Sequence, residues 1–138
     1  MNHLLLVKEL VQAYQAFEAH SGVHIKEMGL TTTQFDIVAT LGNQPPMTCG
    51  ELGEKTLVSK GTMTGVLERL EAKGLIEKLM NVEDGRSYKI SLSKSGDKLF
   101  RKVFPEHVKY LGKAFEKLNK KELEQAVTVL QSIKSIFN

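Results

Sequence analysis

One cysteine, Cys49, stands in 138 residues, so no disulfide can close within a single chain, and a reducing, cytoplasmic setting is expected. Long apolar runs are missing as well. The longest, Leu4 to Val7, falls far short of the roughly 20 residues that a membrane helix needs. No basic-then-apolar leader opens the chain, which again fits the cytoplasm and leaves no membrane partner to expect. Catalytic signatures are equally scarce. There is no Gly-rich phosphate loop, no nucleophile motif and no paired His/Cys spacing of a zinc site, so neither an enzyme nor a cofactor is expected. The three prolines punctuate: Pro45-Pro46 stops a helix from running through, and Pro105 should kink a long one.

What is present is ordinary globular material. Hydrophobic residues make up 41% and charged residues 25%, which argues against extended disorder. The length suits one domain over residues 1–138 that buries about two-thirds of its unfolded surface. The net charge is +3, but it is unevenly spread. Residues 1–54 hold 2 Lys/Arg against 6 Asp/Glu, and residues 55–138 hold 17 against 10. Between Lys78 and Lys102 there are 7 basic and 3 acidic residues, the kind of stripe that phosphate contact requires.

The stretch from Thr48 to Gly96 carries most of the information. Thr48-Cys49-Gly50-Glu51 fits a capping box, with Leu52 and Val58 as apolar anchors on either side of a turn near Thr56 and Leu57. Ser59 is placed as the N-cap of a second helix, its hydroxyl able to accept from a free amide. Met63, Val66, Leu67 and Leu70 then form a buried stripe, and Gly74 ends the run as the C-cap. From Ser59 to Lys73 this helix spans roughly 22 Å, enough to lie across a major groove about 12 Å wide. At about 100° per residue, Gly61, Gly65, Glu68 and Ala72 lie opposite the stripe, flanked by Lys60, Thr62, Thr64 and Arg69. A thin ridge of this kind lets the backbone come close to DNA. Gly61 and Gly65 would otherwise serve only to relieve crowding against another protein segment.

A hairpin follows. Tyr88, Ile90 and Leu92 alternate with Ser87, Lys89 and Ser91, as in a half-buried strand. Leu75-Ile76 and Leu79 can supply the partner strand, and Asp84-Gly85 is a strong turn dipeptide. Arg86 falls at the tip. Helix, turn, helix and ribbon make a winged helix, a shape that fits duplex DNA through one major groove and a neighbouring minor groove. The DNA-contacting set expected is Ser59, Lys60, Gly61, Thr62, Thr64, Arg69, Arg86 and Lys89, with Asp84 holding the wing turn and orienting Arg86.

These residues carry a family resemblance. The run Leu57 to Ile76 resembles the recognition helix and first wing strand of MarR-type regulators. Asp84-Gly85-Arg86 followed by Leu92-Ser93-Lys94-Ser95-Gly96 is similar to that family's Asp-x-Arg wing and Leu-Thr/Ser-x-x-Gly segment. Leu30-Thr31-Thr32-Thr33-Gln34-Phe35 resembles its Leu-Thr-x-x-Gln helix start. The three segments occur in the family's order and extend the likeness over essentially the whole chain. Gly65 stands where many members carry Arg, which leaves more of the binding to Lys60, Thr62, Thr64 and the wing.

The ends form a second subsystem. Leu4, Val7, Leu10 or Val11, Tyr14 and Phe17 follow helical spacing. Asn119 caps a last helix with Leu123, Val127, Leu130, Ile133 and Ile136-Phe137, and Leu99 to Phe115 continue the long helix that holds Pro105. A winged helix needs none of these faces for its own core, so a second copy of the chain is the simplest partner. The resemblance implies the same, because MarR-type proteins dimerise through their terminal helices. The expected architecture is mainly α with a small β-hairpin wing (α+β). A winged helix-turn-helix over residues 30–100 is flanked by dimerisation helices over residues 1–28 and 101–138. The dimer contacts expected are Leu4, Val7, Val11, Tyr14, Leu123, Val127, Leu130 and Ile133.

His20 and His24, with Glu18 and Glu27 nearby, have the right residue types for a metal site. Ser21-Gly22 between them argues against one unbroken helix, so surface histidines and no metal are expected. Cys49 lies by a helix start that can lower a thiol pKa. The family's redox sensors place their cysteine in the first helix, however, and a passive role is expected here. The function implied is a homodimeric transcriptional regulator, a repressor, on a pseudo-palindromic double-stranded operator, released by a small-molecule effector. The alternatives are a winged-helix module for protein contact, or a metal- or redox-responsive regulator.

Overall fold

The computed structural model describes residues 2–80, 83, 85 and 87–138. Their helices are α1 (Asn2–Glu27), α2 (Thr32–Leu41), α3 (Cys49–Lys55), α4 (Lys60–Ala72), α5 (Lys94–Phe115) and α6 (Lys120–Phe137). The strands are β1 (Met47–Thr48), β2 (Ile76–Met80) and β3 (Tyr88–Leu92). The fold is thus mainly helical with a small antiparallel wing, as the order of sequence motifs requires. The chain divides into two compact units, one ending at His107 and one over Val108–Asn138.

Capping sets the helix starts. Thr31, Thr48 and Asn119 each form a reciprocal capping box, with Gln34, Glu51 and Glu122 respectively, so that α2, α3 and α6 begin with their first amides satisfied. α4 ends in a Schellman motif. The Leu75 amide bonds the Leu70 carbonyl at 3.0 Å and the Gly74 amide bonds Glu71 at 2.9 Å. Lys73 is the cap residue itself, and Gly74, one position beyond, takes the left-handed φ of 72° that such a closure demands. The Ser-x-x-Gly segment is explained in the same terms. The Ser93 hydroxyl accepts from the Gly96 amide at 3.0 Å and donates to the Gly74 carbonyl, which pins the start of α5 to the end of α4. Gly96 lies directly against the Leu75 carbonyl, where any Cβ would collide.

The core joins α2, α3, α4 and the sheet. Met63, Val66, Leu67 and Leu70 are all buried, as their spacing implies, and pack with Ile37, Val38, Leu41, Leu52, Val58, Ile76, Ile90 and Phe100. A smaller cluster of Ile25, Leu30 and Val103, with Phe35 and Leu99 against it, ties α1 to α2 and α5.

Several local expectations are revised. The sheet has three strands in the order β1-β3-β2, because Met47 and Thr48 pair with Ile90 and Lys89. Tyr88 is exposed, so the alternation in β3 buries only Ile90 fully. α1 runs unbroken through Ser21-Gly22: Ser21 is buried, and tertiary packing outweighs the weak helix propensity of the pair. α5 is the long helix expected to hold Pro105, whose ring removes the amide that would bond Arg101. α6 buries none of its residues within the chain, and its Leu123, Val127, Leu130, Ile136 and Phe137 are exposed. Ile133 is half-buried.

Candidate nucleic-acid interface

α4 presents its outer face to solvent because every large apolar side chain on it turns inward. Ser59, Lys60, Gly61, Thr62, Thr64 and Arg69 are all exposed, and the first five follow one another along the leading turns of α4. Ser59 occupies the N-cap position but makes no side-chain cap bond. Its hydroxyl pairs instead with the Thr62 hydroxyl at 3.0 Å, and its carbonyl accepts from the Thr62 and Met63 amides. The two hydroxyls therefore form one polar patch beside Lys60.

Gly61 and Gly65 meet no atom of the chain within 4 Å of an added Cβ. Crowding against another segment of this chain is therefore not what selects them, and the helix offers an open strip of backbone. Gly65→Ala should stabilise α4 by about 1 kcal/mol, since nothing obstructs the methyl and Ala gains helix propensity. The same methyl should weaken DNA binding several-fold by holding the backbone off the duplex. Chemical denaturation and a binding titration on the same preparation measure both, and unchanged affinity would mean that DNA does not approach there.

α2 holds α4 at both ends. Asp36 accepts from the Leu57 amide at 2.8 Å, anchoring the turn before the helix, although Leu57 itself is 86% exposed. At the far end the Lys73 ammonium donates to Gln34 Oε1 at 3.3 Å, an atom that also accepts from the Thr31 amide. Neither Asp36 nor Gln34 stood out in the sequence as a positioning group. Only the Thr31-to-Gln34 spacing hinted at one of them, through its capping box.

The wing is partly placed. Asp84 and Arg86 lie outside the described residues. Gly85 adopts a φ of 66°, the left-handed conformation a Gly at a turn is used for. Lys89 is half-buried on β3, opposite Thr48 and close enough to Glu51 to act on its charge. The Thr48 amide and hydroxyl, donating at 3.3 and 3.0 Å, hold the Glu51 carboxyl below its ordinary value of 4.5, with help from Lys89 and Lys55. This group's contribution to stability is complete above pH 4.5 and is lost as pH falls through the lowered value.

Two grooves flank α4. One of about 460 Å³ is lined by Cys49, Gly50, Gly53, Glu54, Lys60 and Met63. The other, of about 360 Å³, lies where Thr64 faces Lys78, Ser87 and Tyr88 of the wing. Cys49 is exposed and lines both. Among the described residues no group of three His, Cys, Asp or Glu is arranged to hold a metal, and no helix is long and apolar enough to cross a membrane.

A recognition helix braced at both ends, beside a three-stranded wing, defines a winged-helix DNA-binding regulator. Residues 30–88 match the MarR family. The homoprotocatechuate degradative operon repressor of Escherichia coli is 32% identical over 73% of this chain and 68% of its own length. A probable transcriptional regulator from Pseudomonas aeruginosa is 31% identical, covering 90% of this chain and 92% of that one, with a TM-score of 0.79. The S. aureus MepR–DNA complex shares the fold, with a TM-score of 0.82 at 20% identity over 94% and 96% of the two chains. The chain belongs to the MarR family.

Proposed function

We propose that the protein is a homodimeric repressor that binds a pseudo-palindromic operator, with α4 in the major groove and the wing at the adjacent minor groove. The observation that carries this is the exposed set Ser59, Lys60, Gly61, Thr62 and Thr64, polar and free of bulk at Gly61, on a helix whose opposite side, Met63 included, is core. Lys60 and Arg69 supply charge for phosphates, and Thr62 and Thr64 reach base edges. Arg86 at the wing tip, oriented by Asp84, is assigned to the minor groove on its sequence position.

Dimerisation is supported by apolar surface that the chain leaves uncovered. Leu4, Val7, Val11 and Tyr14 on α1, and Leu123, Val127 and Leu130 on α6, are each between 37% and 66% exposed. Burying such side chains is worth about 1.5–3 kcal/mol each when complete. A small-molecule effector is the reading suggested by BpsR of Bordetella bronchiseptica, 26% identical, whose DNA binding is regulated by 6-hydroxynicotinic acid.

Selection from random duplex DNA tests the proposal. The expected product is a pseudo-palindrome with half-site centres roughly 10 base pairs apart, about 34–36 Å, bound with an affinity that falls steeply with salt. Salt-sensitive binding with no preferred sequence would favour a basic face used for an acidic protein partner.

A further inference from the structure

Three of the four histidines, His20, His24 and His107, lie near enough to act on one another. His107 of α5 is 4% exposed, and both of its ring nitrogens are engaged. Its Nε2 lies 3.0 Å from the Ser21 hydroxyl, and its Nδ1 lies 2.9 Å from Nδ1 of His24, both partners being on α1. The His24 and His107 rings stack with centroids 5.2 Å apart, and the Phe35 ring of α2 meets His107 edge-on at 4.7 Å.

Two Nδ1 atoms at 2.9 Å can share one proton, one ring donating and the other accepting. If both rings were charged, two N–H groups would point at each other and two like charges would sit in stacked rings. The arrangement therefore exists only while at least one ring of the pair is neutral. The surroundings favour that state. Burial first, then His24, then His20, push the His107 pKa below its ordinary value of 6.5. From α1 the titratable groups acting on it are His24 and His20. From α2 it meets the uncharged Phe35, while the neighbouring Asp36 carboxylate is engaged by the Leu57 amide.

Phe35 stands between Gln34 and Asp36, the two residues that hold the ends of α4. We propose that the His24–His107 pair is a proton-binding regulatory site, whose uptake of a proton breaks the link between α1 and α5 and loosens α2 and, through it, the recognition helix. The proposal rests on DNA binding by α4 but not on any particular dimer geometry.

The sign follows from the lowered pKa. A histidine that is harder to charge in the folded, DNA-competent state contributes its stabilisation above pH 6.5 and loses it as pH falls below that value. DNA affinity should drop roughly tenfold between pH 7.5 and 5.5, an effect within the ordinary range of coupling between two sites. Lys, Arg and Thr contacts do not titrate in that range, so the comparison lies among the histidines.

The test measures affinity against pH, using duplex DNA selected by binding from a random pool, for the unmodified protein and for His24→Gln, His107→Gln and His3→Gln. The first two should flatten the loss to less than about threefold, and His3→Gln should keep it whole. Because His107 is buried, its variant can fail to fold. The second measurement therefore uses the unmodified protein, following the imidazole signals by NMR through a pH titration. By reciprocity, added DNA should lower the His107 titration midpoint. Equal pH dependence in folded variants, or a His107 midpoint unmoved by DNA, overturns the proposal. An absence of DNA binding at every pH would instead overturn the reading of α4.

Discussion

Val127→Asp combined with Leu130→Asp should turn the proposed dimer into a species of 15.4 kDa and lower operator affinity by on the order of 100-fold or more. Both side chains are more than half exposed in the single chain, on a helix that buries none of its residues, so the core of the protomer does not need them. In a symmetric interface each substitution occurs twice. It replaces apolar contact with a carboxylate whose burial is prohibitive unless it is paired. The large effect on DNA comes from geometry. Two linked recognition helices raise avidity by about 10²–10⁴ over one, and separation forfeits that gain. Sedimentation and a binding titration measure the two consequences separately. A double mutant that still sediments at twice 15.4 kDa would place the interface elsewhere.

Thr62→Ala and Lys60→Ala should differ in kind. Loss of a base-edge contact at Thr62 should cost about 1–3 kcal/mol in each half-site and relax the preference at one base position. Its hydroxyl is paired with Ser59 in the free protein, so the substitution also frees Ser59 to turn toward the helix amides. That compensation protects the fold, and the loss should appear in binding alone. Lys60→Ala should instead weaken all sequences by similar factors and reduce the salt slope by about one, as loss of a phosphate contact requires. Binding over a range of salt, on the selected operator and on single-base variants, separates the two. A changed base preference in Lys60→Ala would reverse the assignment of roles.

How far the sequence could be read followed the range of the forces involved. The stripe Met63, Val66, Leu67, Leu70 was legible because helical periodicity is local and burial follows it directly. The capping boxes at Thr48 and Asn119 were legible for the same reason, since both partners lie within four residues. The expected cap bond of Ser59 was not formed, because Thr62 offered its hydroxyl a competing partner one turn on. The strand at Met47–Thr48 had no signal of its own, for two residues become a strand only by pairing with Ile90 and Lys89. Ser21-Gly22 has the local character of a helix break, and burial of Ser21 against His107 overrides it.

The sequence by itself determined the order helix, turn, helix, wing, the inward stripe of α4, its polar outer face and the apolar excess at both ends. Each of these depends on residues a few positions apart, where spacing and side-chain chemistry suffice. Only the tertiary structure decided that Asp36 reaches Leu57, that Gln34 meets Lys73, and that His24 of α1 and His107 of α5 meet through their Nδ1 atoms. Those pairs are separated by 21, 39 and 83 residues, and no local pattern encodes a contact at that distance. It is the packing of Ile25, Leu30 and Val103 that carries α1, α2 and α5 together and places the histidines in reach of one another.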